Sequence, residues 1–268
     1  MLMSHLAALR LVCPACRGPR SRASVLEVRT VLHVDSTRAG ADLLDGVLVC
    51  PGCQREHPVI DGIAIVVADL AAWAVDQLEP AVRRHDLSPI LERLLAAVAV
   101  ADSSFTRERQ ALTTAVAAHW HDREVGAEVA APDTFARRCA SAVAALPSAP
   151  TGRWLDLGCG AGRGTFQLAA AGAAIAIGVD VDMALLRRAE QARRTGQVEW
   201  PRPGGDRAVA EVGALPRDRV GFDCADLGAL PFTDGGFDGG QALAAPLPAS
   251  HQAELARVVQ LGGGQALP

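Results

Sequence analysis

The chain has 268 residues, half of them hydrophobic and 21% charged, with a formal net charge of −4. That balance excludes wholesale disorder and allows a real core without disulfide staples. Lys, Asn and Tyr are absent, so all 26 Lys/Arg positions are Arg; lysine Schiff-base, P-loop lysine and tyrosine phenol chemistry are excluded with them. Charge is spread evenly, net 0 over residues 1–70, −2 over 71–150 and −2 over 151–268. No segment has the basic excess that drives binding to long RNA or DNA. No apolar run approaches the ~20 residues of a membrane span. The start, Met1 to Val12, is too short and too interrupted for a secretory signal. The seven cysteines are odd in number and four lie in two close pairs, so a reducing, cytoplasmic setting is expected.

In chain order, residues 8–68 read as short strands and tight turns. Ala23 to Val34 alternates like a strand, Leu43 to Val49 is a second, and Pro58-Val59-Ile60, Asp61-Gly62 and Ile63 to Val67 predict a hairpin. From about Leu70 to Leu146 the pattern is helical. Ser88-Pro89 opens one helix, whose Leu87, Ile90, Leu91, Leu94, Leu95 and Val98 form one apolar face. Further helices are predicted over Ser104 to Trp120 and Thr134 to Leu146, and residues 147–152 read as a linker. After Gly152 strands and helices alternate: strands at Arg153 to Leu157, Ala174 to Val179, Val220 to Cys224 and Phe237 to Leu243, with helices ending at Gly172 and capped by Asp182. This alternation predicts a parallel sheet in an α/β domain.

Cys13-Pro14-Ala15-Cys16 and Cys50-Pro51-Gly52-Cys53 are two C-x-x-C knuckles, 33 residues apart. Each knuckle presents two thiolates from one turn, and two together supply the tetrahedral set that Zn²⁺ requires. Redox pairs rarely come twice, and no βαβ pattern surrounds either knuckle. Structural Zn²⁺ on Cys13, Cys16, Cys50 and Cys53 is therefore expected. His57 reads as a strand residue, because four sulfurs already close the site. Together with Leu11-Val12, Leu48-Val49 and Pro58-Val59-Ile60-Asp61-Gly62-Ile63, this stretch resembles the small zinc-ribbon family that activates RNA- and translation-factor-modifying methyltransferases. In that family the module is usually a separate subunit, and the position of His57 is commonly tyrosine.

Asp156-Leu157-Gly158-Cys159-Gly160-Ala161-Gly162 sits where a first strand meets a first helix. The dinucleotide pattern G-x-G-x-x-G fails, since Arg163 and Thr165 occupy the third glycine in its two registers. The pattern D-x-G-x-G-x-G fits throughout. Asp180 ends the second strand, where a carboxylate can accept both hydroxyls of a ribose. Asp226 begins a stretch, Asp226-Leu227 to Leu230-Pro231-Phe232-Thr233-Asp234 and Phe237-Asp238, that completes the order. The set resembles class I S-adenosylmethionine (SAM) methyltransferases of the methyltransferase type 11 kind. The resemblance implies a Rossmann-like fold with SAM held by Asp156, Gly158, Cys159, Gly160, Gly162, Asp180, Val181, Asp226 and Leu227. Asp226 and the following N–H would meet the adenine, and Asp156 would face the cofactor's amino group. The C-terminal helix around Glu254 to Val259 and the Gly262-Gly263 turn resemble the approach to the family's fifth strand.

The expected organisation is a zinc ribbon at 1–68, a helical lid at 69–150 and a SAM-binding Rossmann-like domain at 151–268, the last C-terminally incomplete after its fourth strand. Only Gln265 to Leu267 are left for a fifth strand, so an exposed fourth-strand edge, open to self-association or a protein partner, is expected. Gly239 and Gly240 are read as weakening that strand. The expected activity is methyl transfer to a small-molecule acceptor; the alternative is a non-catalytic SAM-binding or zinc-ribbon docking and activator protein. No catalytic base is identifiable. His251, His119 and His121 are the candidates, and helical spacing turns the last two to different faces.

Overall fold

A computed structural model describes residues 1–17, 24–37, 40–83, 89–100, 103–126, 135–146, 148–202, 206–243 and 247–266. The expectations at Ala23, Leu87, Ser88, Thr134, Pro147 and Leu267 lie outside these residues. The N-terminal part contains helix α1 (Met3–Leu9) and strands β1 (Glu27–Thr37), β2 (Gly40–Val49), β3 (Glu56–Ile60) and β4 (Ile63–Ile65). Each strand pairs antiparallel with the next. The β3–β4 hairpin turns on Asp61 and Gly62, both at positive φ (54° and 84°), the backbone that Asp-Gly favours in a two-residue hairpin turn.

The middle contributes α2 (Leu70–Val82), α3 (Pro89–Val98), α4 (Ser104–Trp120) and α5 (Phe135–Ala144), with a short 3-10 turn at His121–Arg123 after α4. Asp69 caps α2 by accepting from Ala71 and Ala72 N–H, and Ser103 caps α4 through Thr106 N–H. The apolar stripe of α3 is real, but Ile90, Leu91, Leu94, Leu95 and Val98 are turned to solvent.

The last part runs β5 (Arg153–Leu157), α6 (Arg163–Ala171), β6 (Ile175–Asp180), α7 (Met183–Thr195), β7 (Gln197–Pro201), β8 (Arg207–Glu211), β9 (Val220–Cys224), β10 (Phe237–Gln241), α8 (Ala249–Val258) and β11 (Val259–Ala266). The β7–β8 hairpin, which no local sequence pattern marks, forms its own two-stranded sheet. It packs on α4, where the Thr113 hydroxyl donates to Pro201 O at 2.5 Å.

The other nine strands form one sheet in the order β1-β2-β3-β4-β9-β6-β5-β10-β11. The five strands from β9 to β11 are parallel, and the order reverses between β5 and β10, the switch point where open α/β sheets bind ligands. The ribbon joins this sheet edge-on: β4 pairs parallel with β9 through Ala64–Asp223 and Ile65–Cys224. Ile63 and Ile65 enter one hydrophobic core while Ala64 and Val66 enter the other, so β4 is covered on both faces. Beside the junction, Arg193 of α7 is buried against Asp42 of β2, and its Nε donates to Glu190 at 2.8 Å.

The end of the chain departs from the expected open edge. The outer edge of β10 is not open, because the chain enters β11 directly at Val259, and Gly262 to Gly264 lie inside that strand instead of forming a turn before it. The interior glycines have a packing cause. A Cβ at Gly239 would lie 2.5 Å from the Trp154 ring, and one at Gly264 would lie 2.7 Å from it. Gly239 pairs with both Trp154 and Gly264, so the indole lies across three strands that only glycine neighbours allow.

Asp223, beside the β4–β9 junction, is 2% exposed, and burial together with the nearby Glu190 pushes its carboxyl up to about 7. Its folded pKa exceeds the unfolded value, so the native state holds the extra proton and stability falls as pH rises from about 4 through about 7. Asp223→Asn should therefore raise the melting temperature relative to wild type more at pH 8 than at pH 5. Thermal melts at both pH values check this, and a pH-independent difference would refute it.

Candidate functional site

The first knuckle follows Leu11-Val12, which are anchored by Val12 N–H on Pro231 O at 2.8 Å. Cys13 is further fixed by its own N–H on Ser24 O at 2.9 Å. The second knuckle lies between β2 and β3, and Cys53 N–H points at Cys50 Sγ at 3.4 Å. All four Sγ atoms of Cys13, Cys16, Cys50 and Cys53 lie within 4.8 Å of one another. Cys13–Cys53 and Cys16–Cys50 are separated by 3.8 and 3.6 Å. A tetrahedron with Zn–S bonds of about 2.3 Å has edges of about 3.8 Å, so the donor set fits zinc in number, chemistry and spacing. His57 is outside this group: it is buried in β3, burial lowers its pKa, and a hydrogen bond to the Ile65 backbone partly offsets that.

The second candidate site lies at the C-terminal ends of β5, β6 and β9. Gly158, Gly160 and Gly162 have φ of 72°, 52° and 86°, all left-handed. They fold the chain tightly from β5 into α6, and a Cβ at Gly162 would lie 2.8 Å from Ala189 and 2.9 Å from Phe222. Gly158 and Cys159 N–H both bond to Val179 O, tying the loop to β6. Cys159 is buried. Asp180, at the tip of β6, accepts from Gly160 N–H at 2.8 Å and from Val181 and Asp182 N–H at 2.7 and 3.0 Å. Burial pushes its carboxyl upward, opposed by these backbone donors. Val181 beside it is 42% exposed. Asp226 is exposed just beyond β9, where its Oδ1 accepts from Gly228 N–H at 2.8 Å, and Leu227 is half-buried next to it.

Asp156 behaves differently from these rim residues. It is 3% exposed, and its two oxygens accept from Thr165 Oγ1 at 2.7 Å and Gln241 Nε2 at 2.9 Å. Burial pushes its carboxyl up to about 6, and the two donors hold it down. The three side chains bind β5, α6 and β10 together beneath the loop. No sequence pattern marks Thr165 and Gln241 as partners of Asp156.

The helical segment closes over the same loop. Trp120 Nε1 donates to Ala161 O at 2.8 Å, and the Arg163 guanidinium lies over the Trp120 ring at 5.1 Å while pairing with Asp122 at 2.8 Å. His119 stands above Gly160, and its ring packs tilted against Phe135 with centroids 4.3 Å apart. His121 turns away to Glu124 at 2.6 Å, so the two histidines diverge as their spacing implies. His251 lies elsewhere, near Gly228.

Residues 11–62 match the family described as Trm112p-like protein, and residues 155–264 match that described as methyltransferase domain. The chain thus carries a Trm112p-like domain followed by a Rossmann-like methyltransferase domain. Among solved structures it is similar to the YcgJ protein from Bacillus subtilis, at 21% identity over 49% of this chain and 49% of that one, with a TM-score of 0.38. It is also similar to the complex between the Haloferax volcanii Trm112 methyltransferase activator and a protein assigned as a methyltransferase (18%, 66% of this chain, 58% of that one, TM-score 0.37). A third is Haemonchus contortus phosphoethanolamine N-methyltransferase 2 in complex with S-adenosyl-L-methionine (16%, 68% of this chain, 36% of that one, TM-score 0.42). The chain spans about half the length of YcgJ. No curated protein matches it. No helix among the described residues is long and apolar enough to cross a membrane.

Protein purified without added metal should carry one zinc per chain. Cys13→Ser removes a buried ligand and should lower both zinc content and the melting temperature. Elemental analysis beside a thermal melt checks this, and a folded, metal-free wild type would refute the zinc assignment.

Proposed function

We propose that the chain is a SAM-dependent methyltransferase that carries its zinc ribbon in cis and acts on a small-molecule acceptor. The observation that carries this reading is the line of Gly158–Gly162, Asp180 and Asp226 along the ends of three adjacent parallel strands, beside the switch point between β5 and β10. The match of residues 155–264 to a methyltransferase domain supports it.

In this reading the bare backbone of the glycine loop lets the methionine part of the cofactor approach without Cβ clashes. Asp180 accepts from the ribose hydroxyls, with Val181 lying alongside. Asp226 and the Leu227 N–H meet the adenine. Asp156 acts from below, holding α6 and β10 in register through Thr165 and Gln241. Cys159 fills the space behind the loop. When bound, SAM supplies an electrophilic methyl group on a sulfonium, and the protein's work is to align the acceptor with the S–CH₃ bond and exclude water. Cys13, Cys16, Cys50 and Cys53 hold the zinc as a structural tie. The even charge distribution favours a small acceptor over a nucleic acid.

A second reading, that the ribbon serves as an activator for a protein partner, draws on the Trm112p-like match at residues 11–62. Here, however, the ribbon's β4 edge is already occupied by β9 of the same chain.

Calorimetry with S-adenosylhomocysteine tests the first reading. Wild type should bind, and Asp180→Ala should weaken binding by about 1–3 kcal/mol through loss of a charged acceptor. Equal affinity in the two proteins, or no binding by wild type, would overturn it.

A further inference from the structure

Among the polar groups around the glycine loop, His119 has a placement that no cofactor motif explains. It comes from the last turn of α4, outside the Rossmann-like part, yet its Nε2 lies 2.9 Å from where a Cβ of Gly160 would stand. Glycine at 160 therefore serves two approaches, that of the cofactor and that of this imidazole.

The ring's chemistry follows from its neighbours. Arg163 N–H, at the first turn of α6, points at Nδ1 at 3.4 Å. With Nδ1 accepting, the neutral ring carries its proton on Nε2. Burial, helped by Arg163 and Arg138, lowers the pKa to about 3, so the ring stays neutral and is a poor general base. Nε2 makes no hydrogen bond to another described residue. It is thus an N–H donor held over the loop.

The surroundings favour a negative partner. The Arg163 side chain is 4% exposed, and its Nε and Nη1 have no hydrogen-bond partner among the described residues, although Nη2 is paired with Asp122. Arg138 lies over Phe135, against which His119 packs. The N-terminus of α6 adds its own positive field. The His119 donor N–H thus stands beside Gly160 and the N-terminus of α6, with the Arg163 guanidinium buried nearby on Trp120 and Asp122, while Gly160 N–H itself donates to Asp180.

We propose that His119 is a positioning residue whose Nε2–H receives the carboxylate of the cofactor's methionine part, so that docking of the helical segment is linked to the amino-acid end of SAM. This inference rests on the SAM-binding reading above. It assigns His119 as a hydrogen-bond donor and removes it from the candidates for a base.

The test compares SAM with decarboxylated SAM, which keeps the adenosine, sulfonium and amine and lacks only the carboxylate. His119→Phe keeps the ring packed against Phe135 and removes the donor; His119→Gln keeps a donor without the ring. Calorimetry on the full chain should show wild type preferring SAM. H119F should lose roughly tenfold of that preference, the order expected for one hydrogen bond to a charged group, while binding decarboxylated SAM as wild type does. H119Q should keep most of the preference. An H119F protein with the wild-type preference, or one weakened equally toward both ligands, would overturn the assignment. Failure of wild type to bind either ligand would refute the SAM-binding reading itself and be recognised as such.

Discussion

Two residue pairs, Ala64–Asp223 and Ile65–Cys224, join the ribbon to the Rossmann-like sheet, and the remaining architecture depends on that junction. A three-residue strand contributes few ladder hydrogen bonds, so its position is fixed by what surrounds it. Its side chains are divided between two cores, and the buried Arg193 bridges Asp42 on the ribbon to Glu190 on α7. Removing one member of such a pair leaves a buried charge uncompensated, at a cost of about 3–5 kcal/mol. Shifting β4 by one residue would exchange its two faces and bring Ala64 and Val66 into the place of the isoleucines. The register is therefore set by packing.

A second set of ties reaches from the first cysteine knuckle to the segment after Asp226. Arg17, next to Cys16, donates to Leu230 O and pairs with Glu254 at 2.7 Å. Glu254 in turn accepts from Leu230 N–H at 2.8 Å, and Arg257 donates to Phe232 O at 2.8 Å. The segment after Asp226 is thus held between the ribbon and α8. The two halves are joined at two separate places, by Arg193 to Asp42 and by Arg17 to Leu230 and Glu254.

Much of this was legible from the residues because the signals were local. The C-x-x-C knuckles, the Asp61-Gly62 turn, the Ser104–Trp120 helix, the strand at Arg153 to Leu157 and the Asp182 cap each need only a few adjacent residues. The glycine loop was legible for the same reason, since three left-handed positions in five residues leave few alternatives. What escaped was non-local. Nothing near Thr165 or Gln241 shows that they meet on Asp156, and nothing near His119 shows that it will stand over Gly160. The β7–β8 hairpin exists because Val198, Trp200, Ala208 and Ala210 find α4, a partner far away in sequence. Gly239 suggests only a weakened strand when taken alone, whereas its packing cause, like that of Gly264, lies in Trp154. The glycine run at 262–264 looked like a turn because its neighbours across the sheet were invisible.

Most of the ion pairs that knit the molecule use arginine, since the chain has no lysine; the N-terminal amine on Asp42 is an exception. A guanidinium does not lose its proton in any pH range where proteins stay folded. The cationic half of every Arg pair, at Arg17, Arg163, Arg193 and Arg257, is therefore fixed. Titration near neutrality falls instead to groups of other kinds, among them the buried carboxyls Asp156 and Asp223. Alkali then leaves these Arg tethers intact while it drives charge into the floor of the sheet, so loosening on the basic side should begin from within, along β5 and β9, with the surface ties still closed.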